Sequence, residues 1–273
     1  MTDIPDLTYR EVGGRALQAD LYLPRTEQPP PGVVYVHGGG FQVGSRTDDA
    51  ELRLTALAAH GLAVLSVDYR LAPADPFPAA VHDVRAAVRW FRTHAADLGV
   101  DGARLALWGA SAGATLASLV ALTEAAGGLG DGAVEPWELA AVQAVVAWFG
   151  MSDLMATASR SWLETAILPF DFEAAFLGVG SVGEVAGVAD RARDASPLSW
   201  VSPGAPPFLI AHGDRDRITP ASQSQLLHDA LVRVGVPSSL LLLGGAGHED
   251  RAFESPASLA VTAGWLVGTL RGR

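Results

Sequence analysis

Leu105-Ala106-Leu107-Trp108-Gly109-Ala110-Ser111-Ala112-Gly113 decides the fold of this chain. An apolar run stops at a glycine, a serine follows two residues later, and a second glycine opens an alanine-rich stretch, Ala112 to Ala126. The order predicts a strand, a sharp turn at Ser111 and a helix, the setting of a nucleophile elbow. Such a turn strains the serine backbone, and glycine on either side removes Cβ atoms that would collide. The hydroxyl of Ser111 then stands at the carboxyl edge of a sheet, with the Ala112 N–H aimed at the same place. The pentapeptide alone discriminates little. With 30 glycines in 273 residues, chance supplies on the order of 0.2 matches to G-x-S-x-G. A small residue in a glycine-rich turn is the plain alternative, so the rest of the chain must decide.

Outward from the elbow, strand and helix patterns alternate. Leu7–Val12 and Ala16–Leu23 read as a strand pair turning at Gly13-Gly14. The Pro29-Pro30-Pro31 loop leads into Val33-Val34-Tyr35-Val36, a continuous apolar run suited to a strand covered on both faces. A helix is expected over Asp49–His60, a strand over Leu62–Val67, and an amphipathic helix over about Ala79–Ala96. Further strands are expected at Gln143–Phe149, Pro207–Ala211 and Ser239–Leu243, with helices at Ala221–Val234 and Ser258–Leu270. This alternation predicts an α/β fold: a mainly parallel sheet with helices on both faces. No linker divides the chain, so residues 1–273 read as one domain, with 151–201 as a cap-like insertion after the sixth strand.

Composition narrows the function. The formal net charge is −11 and no lysine–arginine block occurs, which argues against nucleic acid and anionic membranes as partners. The absence of cysteine excludes disulfides, a thiol nucleophile and thiolate metal sites. No signal peptide or spanning apolar stretch is visible, so the cytoplasm is the default location.

In a parallel sheet the chemistry gathers at the carboxyl ends of the strands. His37, Asp68, Ser111, Asp153, Asp216 and His248 all fall at or just beyond such ends. A serine nucleophile needs a base. His60, His82, His94 and His228 sit in or at the ends of expected helices and read as solvated or packing residues. His37 leads a glycine loop and reads as orienting it, and His212 reads as building its own loop. His248, in the glycine-rich loop Gly244–His248, is the chosen base. Its imidazole needs a carboxylate partner. Asp216 is preferred, with Asp153 and Asp214 as alternatives, and the order Ser111, Asp216, His248 is that of an α/β-hydrolase. The bare amides of Gly39 and Gly40, in His37-Gly38-Gly39-Gly40, together with Ala112, are assigned to an oxyanion hole. Gly38 is the alternative donor.

Together with Asp68-Tyr69-Arg70-Leu71-Ala72-Pro73, these segments resemble the hormone-sensitive-lipase-like branch of the α/β-hydrolases. Ser196-Pro197-Leu198, His212-Gly213-Asp214-Arg215-Asp216 and Gly247-His248 resemble more closely the small bacterial carboxylesterases of the feruloyl/acetylxylan esterase type. The resemblance runs from Val33 to His248, and the elbow carries Ala110 where much of the lipase-like branch has aspartate. It implies a serine carboxylesterase acting through an acyl-enzyme on a small-molecule ester of short-to-medium acyl or aryl type, with no cofactor and no metal. An arylformamidase-type amide hydrolase would use the same three residues. A non-catalytic small-molecule receptor on the same scaffold is a reading from another class. A homodimer is compatible with an apolar final helix or edge strand, were either exposed.

Two features are set aside. Gly178-Val179-Gly180-Ser181-Val182-Gly183 satisfies G-x-G-x-x-G, but a helix rather than a strand is expected before it. His248-Glu249-Asp250 lacks a second histidine at metal-ligand spacing. Met155, Trp162, Leu163, Ile167, Leu168, Phe170, Phe172, Phe176 and Trp200 are expected either to pack the insertion onto the body or to wall an apolar pocket over Ser111.

Overall fold

A computed structural model describes residues 1–130, 140–158 and 171–271. Eight strands form one sheet in the order β1-β2-β4-β3-β5-β6-β7-β8. They are β1 (Thr2–Val12), β2 (Arg15–Leu23), β3 (Pro31–Val36), β4 (Ala63–Val67), β5 (Asp101–Ala110), β6 (Ala144–Trp148), β7 (Phe208–Gly213) and β8 (Ser238–Leu243). The hairpin β1–β2 is antiparallel and joins β4 antiparallel, and every pairing from β4 to β8 is parallel. The expected strands are all present, most of them within two residues of their predicted limits. The differences lie at ends, where β1 begins five residues before Leu7 and β5 four residues before the apolar run at Leu105.

The central strands are buried on both faces, as the unbroken run in β3 requires. Alternation then sorts their side chains. Val34 and Val36 join a core beneath helices α1 (Ala79–His94), α2 (Ala112–Ala126) and α3 (Ser222–Arg233), with Val84, Val88, Leu116 and Leu227. Val33 and Tyr35 join the opposite core with Trp108 and Trp148. That second core is covered by α4 (Pro256–Arg271) through Leu259, Ala263 and Leu266, and by Leu54 and Leu57. The helix expected over Asp49–His60 is instead a π-helical segment, Ala50–Thr55, running into one short turn, Ala56–Ala58. Its buried Arg53 bonds the Tyr35 hydroxyl at 3.0 Å and pairs with Glu254, drawing this segment toward the sheet.

The parallel register aligns the strand ends on one edge. Val36 pairs with both Val67 and Gly109, Ala110 with Trp148, Trp148 with Ala211, and Gly213 with Leu243. The loops that follow β3, β4, β5, β7 and β8 therefore emerge side by side. Between β6 and β7 lie the short helices Leu154–Ala158, Phe172–Leu177 and Ala189–Asp194. The segment Gly178–Gly183 begins at Gly178, the C-terminal cap of Phe172–Leu177, so the expected helix does precede this glycine pattern. Among the described residues, no helix is long and apolar enough to cross a membrane.

Candidate active site

Ser111 holds φ 53° and ψ −122°, a backbone conformation that side chains other than glycine rarely adopt. Its neighbours explain how the turn closes. A Cβ at Gly109 would lie 2.2 Å from the Gly113 carbonyl oxygen, and one at Gly113 would lie 2.0 Å from the Val36 carbonyl oxygen. Only glycine at both positions lets the first turn of α2 pass this close to β5 and β3. Three backbone hydrogen bonds fix the strained residue. The Ser111 N–H donates to Trp148 O at 2.9 Å, and its carbonyl accepts from Ala114 at 2.9 Å and Thr115 at 3.2 Å.

The Ser111 hydroxyl donates to His248 Nε2 at 2.8 Å, and His248 Nδ1–H donates to Asp216 Oδ2 at 2.6 Å. The structure thus brings Ser111, His248 and Asp216 into one hydrogen-bonded line. His248 reaches β7 because Gly213 lacks a Cβ, which would sit 2.4 Å from the Ala246 carbonyl oxygen. The Phe149 ring, itself at φ 42°, packs edge-on against His248 at 5.0 Å. The two alternative carboxylates are occupied elsewhere. Asp153 caps the helix Leu154–Ala158 by accepting from Met155 N at 3.0 Å and Ala156 N at 3.1 Å. Asp214 is exposed and accepts from Gly245 N at 2.7 Å, bracing the His248 loop from outside.

Asp216 is buried, and its side chain accepts four hydrogen bonds. Oδ1 takes Ile218 N and Thr219 N, both at 2.8 Å; Oδ2 takes His248 and, at 3.1 Å, His212 Nε2–H. Burial works to raise the Asp216 pKa, but the hydrogen bonds from His212 and His248 outweigh it and hold the carboxyl at about 2.

The glycine loop lies across the elbow. Gly39 and Gly40 line a cavity of about 260 Å³ together with Ser111 and His248. Gly39 has φ +108°, and its carbonyl accepts from Gln42 N at 3.0 Å and Val43 N at 3.1 Å, which closes a turn. Among the described residues, the N–H groups of Gly39, Gly40 and Ala112 meet no acceptor. The N–H of Gly38, the alternative donor, likewise meets no acceptor among the described residues, but Gly38 does not line the cavity. His37 is buried, stacks on Tyr69 at 4.3 Å, and donates through Nδ1 to Gly38 O at 2.7 Å. Burial lowers its pKa, so it orients the loop as a neutral ring.

The motif after β4 turns out to clamp this loop. The Tyr69 hydroxyl donates to His37 O at 3.0 Å, and Ala72 N donates to Phe41 O at 2.8 Å. Asp68 accepts from Arg46 at both its backbone N–H, 2.9 Å, and its guanidinium, 2.7 Å, while Arg46 also pairs with Asp20 and Asp6. Of the aromatic residues expected over Ser111, Phe172 lines the cavity, whereas Phe176 stacks on Phe41 and Trp200 packs at Gly128. Trp162, Leu163, Ile167, Leu168 and Phe170 lie outside the described residues. The apolar wall is completed by Val43, Met151 and Ile218, which single-residue reading had no means to place. Glu249, also unforeseen, lines the same cavity at φ 51°.

Comparison with known proteins agrees with this architecture. The chain is 34% identical over 243 residues to esterase LipC of Mycobacterium tuberculosis, which covers 86% of this chain and 57% of the relative. It is 31% identical over 276 residues to esterase LipQ of the same organism, covering 96% of this chain and 61% of the relative. The chain therefore spans about six tenths of the length of these curated relatives. A truncated carbohydrate esterase from gut microbiota superposes with a TM-score of 0.83 at 25% identity, covering 98% of this chain and 96% of that one. Esterase Est2 of Thermogutta terrifontis shares the fold, with a TM-score of 0.75 at 24% identity over 97% and 95% of the two chains. The BD-FAE family model matches residues 19–231, a span that holds the glycine loop, the elbow and Asp216, and the chain belongs to that family within the α/β-hydrolase fold.

Proposed function

We propose that the chain is a serine carboxylesterase whose catalytic triad is Ser111, His248 and Asp216. The observation that carries this reading is the unbroken line Ser111–His248–Asp216, with hydrogen bonds of 2.8 and 2.6 Å, whose first two members line a cavity. Ser111 Oγ attacks the ester carbonyl while His248 Nε2 takes its proton. The charge that develops on the carbonyl oxygen is met by the N–H groups of Gly39, Gly40 and Ala112. His248 then returns the proton to the departing alcohol, and water releases the acyl group by the same steps in reverse. The esterase names of the relatives support the reaction class. Val43, Met151, Phe172 and Ile218 support a short-to-medium acyl or aryl group in the substrate, with residues 151–201 serving as a cap.

Hydrolysis of p-nitrophenyl acetate, butyrate and octanoate by wild type and Ser111→Ala tests the proposal. Loss of several decades in the variant is expected, by analogy with about 10⁶ for a serine protease nucleophile. Equal rates for the two proteins on all three esters would remove Ser111 from the mechanism.

A further inference from the structure

We propose that His212 is a fourth member of the line: a positioning residue that acts on His248 through Asp216. The inference rests on the triad reading and deepens it. His212 is the penultimate residue of β7 and has no exposed surface. Its Nε2 lies 3.1 Å from Asp216 Oδ2 and 2.9 Å from Thr219 O, two acceptors, so Nε2 carries the hydrogen. Nδ1 lies 2.6 Å from Ser224 Oγ on α3, whose hydroxyl then donates to it. Every polar atom of the ring is used, and the tautomer is set by Asp216, Thr219 and Ser224.

The effect on Asp216 is twofold. Three donors on fixed elements, His212, Ile218 N–H and Thr219 N–H, hold the carboxylate before His248 binds it, so Oδ2 cannot swing away from His248 Nδ1. The His212 N–H also shares Oδ2 with His248, drawing off part of the charge that His248 feels. The titratable groups in contact with Asp216 among the described residues are these two histidines, and Glu249 stands next to His248 on its loop. Without His212, Oδ2 would present its full charge to His248, stabilise the imidazolium further, and loosen at the same time.

The matched variants His212→Gln and His212→Asn separate this role from packing. A glutamine amide reaches the place of ring Nε2 and keeps a donor on Asp216. An asparagine amide reaches only the place of Nδ1, keeping Ser224 and losing Asp216. His212→Asn is expected to lower kcat about tenfold with KM little changed. It should also move the acid limb of the kcat/KM profile upward, a property of the coupled His248–Asp216 pair. His212→Gln should keep the limb at its wild-type position and recover most of kcat. Nitrogen-15 NMR of histidine-labelled wild type adds a reading that needs no folded Asn variant: His212 is expected as the Nε2–H tautomer. An Nδ1–H tautomer, an unmoved acid limb in His212→Asn, or equal losses in both variants would overturn the proposal. Turnover that survives Ser111→Ala would instead overturn the triad reading, and the tautomer measurement keeps the two failures apart.

Discussion

Alanine placed at Gly39 and at Gly40 should give two different kinds of damage, and the difference follows from what each new Cβ would meet. At Gly39 the backbone stands at φ +108°, well outside the left-handed well, so a non-glycine residue costs on the order of 1–3 kcal/mol in strain alone. The added Cβ would also lie 2.1 Å from the Val43 carbonyl oxygen, a backbone atom held by the turn that Gly39 itself closes. No side-chain rotation relieves that contact, so the turn must open and the Gly39 N–H must re-aim. Losing one preorganised donor to an oxyanion removes about 10²–10³ in kcat. At Gly40, φ is +58°, inside the left-handed well, with a cost of about 1–2 kcal/mol. Its Cβ would meet Cδ1 of the Phe172 ring at 2.1 Å, a side-chain atom on the cavity wall rather than a backbone atom of the turn. Gly40→Ala should therefore leave kcat within about tenfold of wild type and raise KM for the bulkier acyl chains. Steady-state kinetics on the acetate and octanoate esters, alongside thermal denaturation of each variant, read both effects. If Gly39→Ala keeps wild-type kcat while Gly40→Ala loses two decades, the assignment of donors along this loop is wrong.

Acid stability should depend on Asp216. Its folded pKa of about 2 lies below the ordinary 3.8, so its contribution is full above pH 4 and is lost as pH falls from 4 toward 2. The loss amounts to about 2 kcal/mol. Urea midpoints between pH 2 and 6 should fall more steeply for wild type than for Asp216→Asn, and parallel curves would contradict the linkage. Glu249 is the carboxylate on the cavity lining, close enough to Gly38 that a Cβ there would touch Oε1 at 2.8 Å. Its exposure screens it, so Glu249→Gln should shift the kcat/KM ratio of esters with matched cationic and anionic alcohol groups by roughly threefold toward the anionic one. A ratio that does not move, at low salt, would deny Glu249 a part in selectivity. Ser111→Gly should be more stable than Ser111→Ala by about 1 kcal/mol, since only glycine relaxes at φ 53° and ψ −122°, offset in part by its greater unfolded-state freedom. An alanine variant with the higher melting temperature would show that the elbow is not strained.

Much of this molecule is legible from single residues because burial on two faces leaves a strong mark. Val33-Val34-Tyr35-Val36 can only be a central strand, and β3 lies at the centre of the sheet with both faces covered. Ser111, Asp216 and His248 could be named because each ends a strand on the same edge. Asp68-Tyr69-Arg70-Leu71-Ala72-Pro73 was legible only as a pattern. That Tyr69 and Arg46 anchor the glycine loop depends on contacts 22 to 32 residues apart, which local reading does not reach. His212 was read as a loop residue because it neighbours Gly213 and Asp214. The residues that give it a role are Asp216, Thr219 and Ser224, and only the fold of the 213–222 loop onto α3 brings them to its ring. The cavity walls were the hardest to foresee. Val43, Met151 and Ile218 come from three separate loops, and no periodicity relates them.

Glycine at the sheet edge works here mainly by close approach rather than by flexibility. Gly109, Gly113 and Gly213 do not take positive φ, yet a Cβ on each would fall 2.0–2.4 Å from a carbonyl oxygen of another segment. The Gly113 contact joins the elbow to β3 and the start of the glycine loop, the Gly213 contact joins β7 to the loop of His248, and the Gly109 contact closes the elbow on itself. An alanine at any of them would push two segments apart by about an ångström, the scale on which misplaced catalytic groups lose about two decades of rate. Gly39 and Gly40 differ, for their positive φ sets the direction of their N–H groups. The loop glycines Gly244, Gly245 and Gly247 differ again, since a Cβ on any of them would meet nothing within 4 Å. Alanine at Gly244 or Gly247, where φ is not positive, should therefore be tolerated, although both residues lie within four positions of His248.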